Sequence, residues 1–87
     1  MNKCKEEDLY ERTTAYARRI RALREDHDMT QTQVADILSI GQRTYADYEL
    51  SETRIPVDSL IVLAKYYNTD MNYICGVSKE RQPFPRK

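Results

Sequence analysis

Apolar positions along the 87-residue chain recur mostly at intervals of three and four, the period of helices with one buried face. Leu9, Thr13, Tyr16, Ala17, Ile20 and Leu23 share such a face, with Arg12, Arg18, Arg19 and Arg21 mostly elsewhere. This predicts a first helix from about Asp8 to Asp26. A second helix is expected from about Gln31 to Leu38, with Val34, Ala35 and Leu38 inward and Asp36 outward. Its start carries a full signature. Thr30 can cap the Gln33 amide while the Gln33 side chain reaches back, and Met29 can pack on Val34 as a hydrophobic staple. A third helix, about Gln42 to Leu50 behind Gly41 as N-cap, sets Tyr45, Tyr48 and Glu49 on one face and Gln42, Arg43, Ala46 and Asp47 on the other. The polar loop SETRI ends at Pro56, a residue suited to a first helical turn. The fourth helix then buries Val57, Leu60, Leu63, Ala64 and Tyr67. A short fifth helix starts from an N-cap at Thr69, runs through Met71, Tyr73 and Ile74, and stops at Gly76.

Only two glycines and three prolines punctuate the chain, which favours helices over many short strands. Beyond Val77 the segment SKERQPFPRK has no periodicity and two prolines, so it reads as an extended tail. The expected architecture is all-α, a compact bundle of five helices: a flexible N-terminus over 1–7, one domain over 8–77 and a tail over 78–87. A chain of this length buries only about 60% of its unfolded surface, which leaves little room for a catalytic cleft.

Charge first argues against a nucleic-acid partner, because 14 Lys and Arg balance 14 Asp and Glu. The total hides a distribution. Residues 1–27 carry 7 basic and 6 acidic groups, 28–51 carry 1 and 4, 52–76 carry 2 and 3, and 77–87 carry 4 and 1. The ends are basic and the middle is acidic.

Several functions are excluded on inventory. The longest apolar run, Leu60 to Ala64, is far short of the ~20 residues that span a bilayer. The opening MNKCKEEDLYE lacks the apolar stretch of a signal peptide, so the cytoplasm is the expected location. Cys4, Cys75 and the single His27 cannot build a metal site at recognised spacings. A Cys4–Cys75 disulfide is possible on arithmetic alone, but nothing else points to an oxidising compartment. No paired nucleophile and base and no phosphate-cradling glycine loop is present, so no enzymatic activity and no cofactor are expected.

The second and third helices are joined only by Ser39-Ile40-Gly41. This is the form of a helix-turn-helix, whose first helix braces the second in the major groove. Ala35 is small where the helices approach, Ile40 plugs the turn, and Tyr45 and Tyr48 anchor the third helix so that its other face projects. The string TQTQVADILSIGQRTYADYELSETRIP closely resembles the Xre/Cro-type helix-turn-helix family, whose fold is that of the lambda-repressor DNA-binding domain. The resemblance covers about Ile20 to Gly76. Its markers are Leu23-Arg24, Thr30-Gln31, Val34-Ala35, Ile40, Tyr45, Glu49, Pro56, Leu63-Ala64 and Tyr73-Ile74.

The resemblance implies a lambda-repressor-like bundle and roles for individual residues. Gln31 matches the glutamine that opens the second helix and touches the DNA backbone. Gln42, Arg43 and Asp47, with Ala46 beside them, match the base-reading face. Glutamine can bridge N6 and N7 of adenine, arginine can fork onto O6 and N7 of guanine, and aspartate can accept from N4 of cytosine. Thr44, Thr53 and Arg54 stand where relatives meet phosphates, and Arg24 and Glu49 match a structural salt bridge between the first and third helices. Three positions depart from the pattern: Ser39 and Ser51 stand where glycine is common, and Gly41 where serine or threonine is.

The implied function is a transcriptional regulator that binds double-stranded DNA, a repressor on a palindromic operator as a homodimer, since one module reads only a few base pairs. Met71, Tyr73, Val77 and Phe84 are the candidate dimer contacts. The rival reading is a protein-interaction module such as an antitoxin or anti-repressor partner, suggested by the acidic 28–51 segment and the Pro-Phe-Pro tail. The tyrosines at 16, 45, 48, 67 and 73 could form a stacking platform for single strands. Their helical spacing assigns them to the core, with Tyr10 and Tyr66 left as interface candidates. Arg18, Arg19 and Arg21 are read as a solvated face with phosphate contact as the alternative, His27 as an ordinary residue at a helix end, and Cys75 as a small core residue.

Overall fold

Five helices follow one another in residues 15–85, the part of the chain that the computed structural model describes: α1 (Tyr16–Asp26), α2 (Gln31–Leu38), α3 (Gln42–Glu49), α4 (Val57–Tyr67) and α5 (Met71–Ile74). The expected N-terminal segment 1–7, the first turns of the first helix from Asp8, and Cys4 and Tyr10 lie outside the described residues.

Local chemistry sets the boundaries. At the start of α2 the capping box is complete: the Thr30 hydroxyl accepts from the Gln33 amide at 3.1 Å and the Gln33 side chain accepts from the Thr30 amide at 2.8 Å. Pro56 stands one position earlier than expected, as the N-cap of α4 and not within its first turn. The N-cap of α5 is Asp70, whose carboxylate accepts from the Tyr73 amide at 3.2 Å. That corrects the expected Thr69, which is buried at 2% exposure instead. Asp28, Ser39, Ser51 and Asn68 end the four longer helices in the left-handed region, with φ of 54°, 60°, 61° and 55°. Gly76 is the one position in that region where glycine is compulsory. Its φ is 87°, and a Cβ there would lie 2.6 Å from the Cβ of Ala15.

The helices close on Ile20, Leu23, Val34, Tyr45, Leu63 and Ile74, all essentially inaccessible. Helix α2 packs chiefly on α3, α1 on α3 and α5, and α4 on α5 and α2. The tyrosines at 16, 45, 48, 67 and 73 are all core residues, with Tyr45 and Tyr48 edge to face at 6.4 Å. The Tyr16 hydroxyl accepts from the Ile55 amide at 3.2 Å, tying the loop after α3 to α1. Val57 was expected inside but is 67% exposed, because α4 turns its first residue away from the core and starts its buried stripe at Leu60.

Residues 78–85 form no helix, and they lie against the domain. Arg19 donates to the carbonyls of Tyr73 and Ser78, both at 3.0 Å, and its guanidinium sits 4.3 Å from the Tyr73 ring centroid. Arg81 covers the same ring at 5.1 Å while pairing with Asp26. The Gln82 carbonyl accepts from the Asp70 amide at 2.8 Å, and the Phe84 amide donates to the Asn68 side chain at 3.1 Å. Arg19 is thus an internal clamp, in place of the solvated position expected for it.

Candidate nucleic-acid interface

The turn between α2 and α3 is built by backbone. Ser39 takes the left-handed conformation, the Ile40 amide donates to the Ala35 carbonyl at 3.0 Å, and the Ile40 side chain packs on the core. Ala35 is buried to 1% exposure, so a larger side chain would push the helices apart. The serine at 39 therefore keeps the turn that a glycine would make, and α3 starts at Gln42 as expected.

The first turn of α3 exposes Gln42, Arg43 and Thr44, with Ala46 and Asp47 half-buried one turn on. Gly41 contributes no side-chain cap, so the first amides of α3 have no intrahelical acceptor. At α2 the cap engages the amide of Gln33, leaving those of Gln31 and Thr32 in the same condition. The Gln42 side chain donates to Gln31 Oε1 at 2.7 Å, which sets the two N-termini side by side. Two positive dipole ends and their amides suit an anion such as phosphate. Thr53 and Arg54 are exposed on the loop beyond α3, where the amides of Glu52 and Thr53 turn back to the Asp47 carbonyl.

Behind this surface lies a polar chain. Arg24 grips Glu49 with two bonds, Nε to Oε2 at 2.7 Å and Nη2 to Oε1 at 3.1 Å, and donates from Nη1 to the Met29 carbonyl at 3.0 Å. Gln31 Nε2 donates to Glu49 Oε1 at 3.1 Å. Burial opposes ionisation of the Glu49 carboxyl, but the bonds from Arg24 and Gln31 prevail and hold its pKa below the usual carboxylate range. Its bond to Glu49 holds the Arg24 guanidinium above its ordinary value. Burial, followed by the nearby Glu49 carboxylate, pushes the Tyr45 phenol up, although its hydroxyl closes no hydrogen bond of normal geometry. The Arg24–Glu49 bridge is the one the resemblance implied.

The structure thus joins Arg24, Glu49, Gln31 and Gln42 in one network and sets Arg43 and Thr44 beside it. Of the candidate dimer residues, Val77 is 77% exposed, and Met71 and Phe84 are half-buried around a hollow of about 240 Å³. Tyr73 is not on the surface: at 8% exposure its ring lies beneath Arg19 and Arg81. The link from Gln31 to both Gln42 and Glu49 was not foreseen, since helical periodicity carries no information on contacts between helices. The role of Arg19 depended on a chain segment that returns from position 78.

Residues 20–74 match the helix-turn-helix family. The chain belongs to this family. It is a family of DNA-binding regulators, not of enzymes. Over 68 residues, 78% of this chain, it is 34% identical to YobD of Bacillus subtilis, an HTH-type transcriptional regulator described as uncharacterized. It is 31% identical, also over 68 residues, to the HTH-type transcriptional regulator AnsR of the same organism. The chain spans about three fifths of these relatives, 61% and 59% of their lengths. No solved structure gives a significant match. Among the described residues no helix is long and apolar enough to cross a membrane, and no group of three or more His, Cys, Asp or Glu could hold a metal ion.

Proposed function

We propose that this chain is a sequence-specific, double-stranded DNA-binding transcriptional regulator that acts as a repressor on a palindromic operator, as a homodimer. The observation that carries the reading is the pairing of Gln31 and Gln42 at 2.7 Å, which sets two helix N-termini side by side beneath an exposed row of Gln42, Arg43 and Thr44. In this reading Gln42 and Arg43 contact adenine and guanine edges, Asp47 accepts from cytosine, and Ala46 lies along the groove without a polar contact. Gln31, Thr44, Thr53 and Arg54 meet phosphates and set the register. The core domain is 8–77, with 1–7 and 78–87 as its flanking segments. Met71 and Phe84 at the hollow, with the exposed Val77, supply the dimer contact, and Tyr73 supports it from below.

A balanced net charge, with Arg43 the single basic residue in 28–51, gives weak general affinity and leaves specificity to base contacts and dimerisation. Salt titration of binding to a selected duplex tests this. If a dimer neutralises roughly 6–8 phosphates, log affinity falls with log salt at about −0.9 per phosphate. A flat response would contradict DNA binding and favour a protein partner of the antitoxin or anti-repressor kind.

A further inference from the structure

The hydrogen bonds that run from α1 to the first residue of α3 have a direction, and the direction has one source. An ionised carboxylate only accepts. Glu49, with a side chain 4% exposed, takes two bonds from Arg24, and the side of Oε1 that faces α2 meets Gln31. A carboxamide placed there must present its NH2, and Gln31 Nε2 does so at 3.1 Å. The amide is planar, so its Oε1 then points away from Glu49, toward Gln42. Gln42 must in turn present its own NH2, and the bond closes at 2.7 Å. One Nε2 hydrogen of Gln42 is thereby committed. Its Oε1 and the other hydrogen remain available on the exposed end of α3.

We infer that Glu49 is a positioning residue for base recognition: through Gln31 it fixes which way round the Gln42 amide meets a base edge, and so which purine Gln42 accepts. Adenine offers an acceptor at N7 and a donor at N6. The free hydrogen and the free Oε1 of Gln42 answer that pair. Guanine offers two acceptors, N7 and O6, which would need both hydrogens of the same NH2. With one hydrogen held by Gln31, that arrangement is closed. Arg24 participates by neutralising Glu49 and keeping it an acceptor.

The inference rests on the reading of Gln42 as a base-contacting residue, and the experiment separates the two. Affinities are measured for the wild type and for Gln42→Ala, Glu49→Gln and Gln31→Met on duplexes of the selected site. These duplexes carry adenine or guanine at the position whose preference Gln42→Ala changes. Glutamine at 49 can donate or accept, so the direction is lost; methionine at 31 breaks the chain but leaves the Arg24–Glu49 bridge intact, so a folding defect at 49 does not decide the test. The wild type is expected to prefer adenine by about tenfold, and both Glu49→Gln and Gln31→Met are expected to shrink the ratio to about twofold or less. If they weaken binding to both duplexes equally and the ratio survives, Glu49 only stabilises the fold and the inference is overturned. If Gln42→Ala changes no base preference, the base-reading role of Gln42 falls and the inference falls with it.

Discussion

Ser39 and Ser51 each hold a left-handed backbone, φ 60° and 61°, at the ends of α2 and α3. That conformation costs an L-residue roughly 1–2 kcal/mol, partly offset by the greater chain entropy a glycine would lose. Ser39→Gly and Ser51→Gly are therefore each expected to raise stability by about 0.5–1 kcal/mol in denaturant unfolding, with no change in the position of α3. Arg24 and Glu49 lie at the other extreme. Their side chains are 14% and 4% exposed, so Arg24→Met leaves a buried carboxylate unpaired and is expected to cost about 3 kcal/mol at pH 7. The folded pKa of Glu49 is lowered, so the stability its ionised form contributes is complete above the ordinary value of 4.5 and is lost as pH falls through the lowered value. The gap between wild type and Arg24→Met should narrow on acidification over that window. The bridge itself was legible, because Arg24 and Glu49 are family markers. The two glutamines were each legible but their mutual bond was not, since it spans two helices whose packing no local pattern encodes.

Helix starts were read correctly where chemistry singled out one residue, as at Thr30, and incorrectly where two good caps adjoin. Thr69 and Asp70 are both strong N-cap types. The choice falls on Asp70 because Asn68 ends α4 in the left-handed conformation and the Thr69 amide returns to the Ala64 carbonyl at 2.9 Å, turning the Thr69 side chain into the core. Asp70→Ala is expected to cost about 1 kcal/mol. Thr69→Val, similar in shape and losing no hydrogen bond among the described residues, is expected to cost little in the same thermal or denaturant melts. The reverse order would restore Thr69 as the cap. Val57 was misassigned because period alone cannot say where along a stripe burial begins. Pro56 as N-cap starts the helix at Val57, before it reaches the core.

Across the whole molecule, the absence of periodicity after Val77 could not show that Arg81, Gln82 and Phe84 return to Asp26, Asp70 and Asn68. Those contacts are long-range and polar. Deleting 78–87 is expected to lower the melting midpoint by roughly 5 °C, about 1 kcal/mol for a domain of this size, whereas a solvated tail could be removed without effect. Alkaline stability also belongs to the packed whole. Burial of the Tyr67 phenol, followed by neighbouring Tyr66, pushes its pKa up to about 12, above the ordinary 10.0. The stability that the neutral Tyr67 phenol contributes is therefore complete below pH 10 and is lost as pH rises toward 12, and Tyr67→Phe should shift that loss upward.

The zero net charge, which at first argues against a nucleic-acid partner, becomes in the proposed reading a weak general attraction to DNA that places the burden on a few side chains at the start of α3. The most direct test is selection of bound DNA from random duplexes with wild type, Gln42→Ala and Arg43→Ala. The wild type should enrich a palindromic motif, with each variant relaxing a different position in both half-sites. Enrichment of no motif, or of the same motif by all three proteins, would contradict the assignment of α3 as the reading helix.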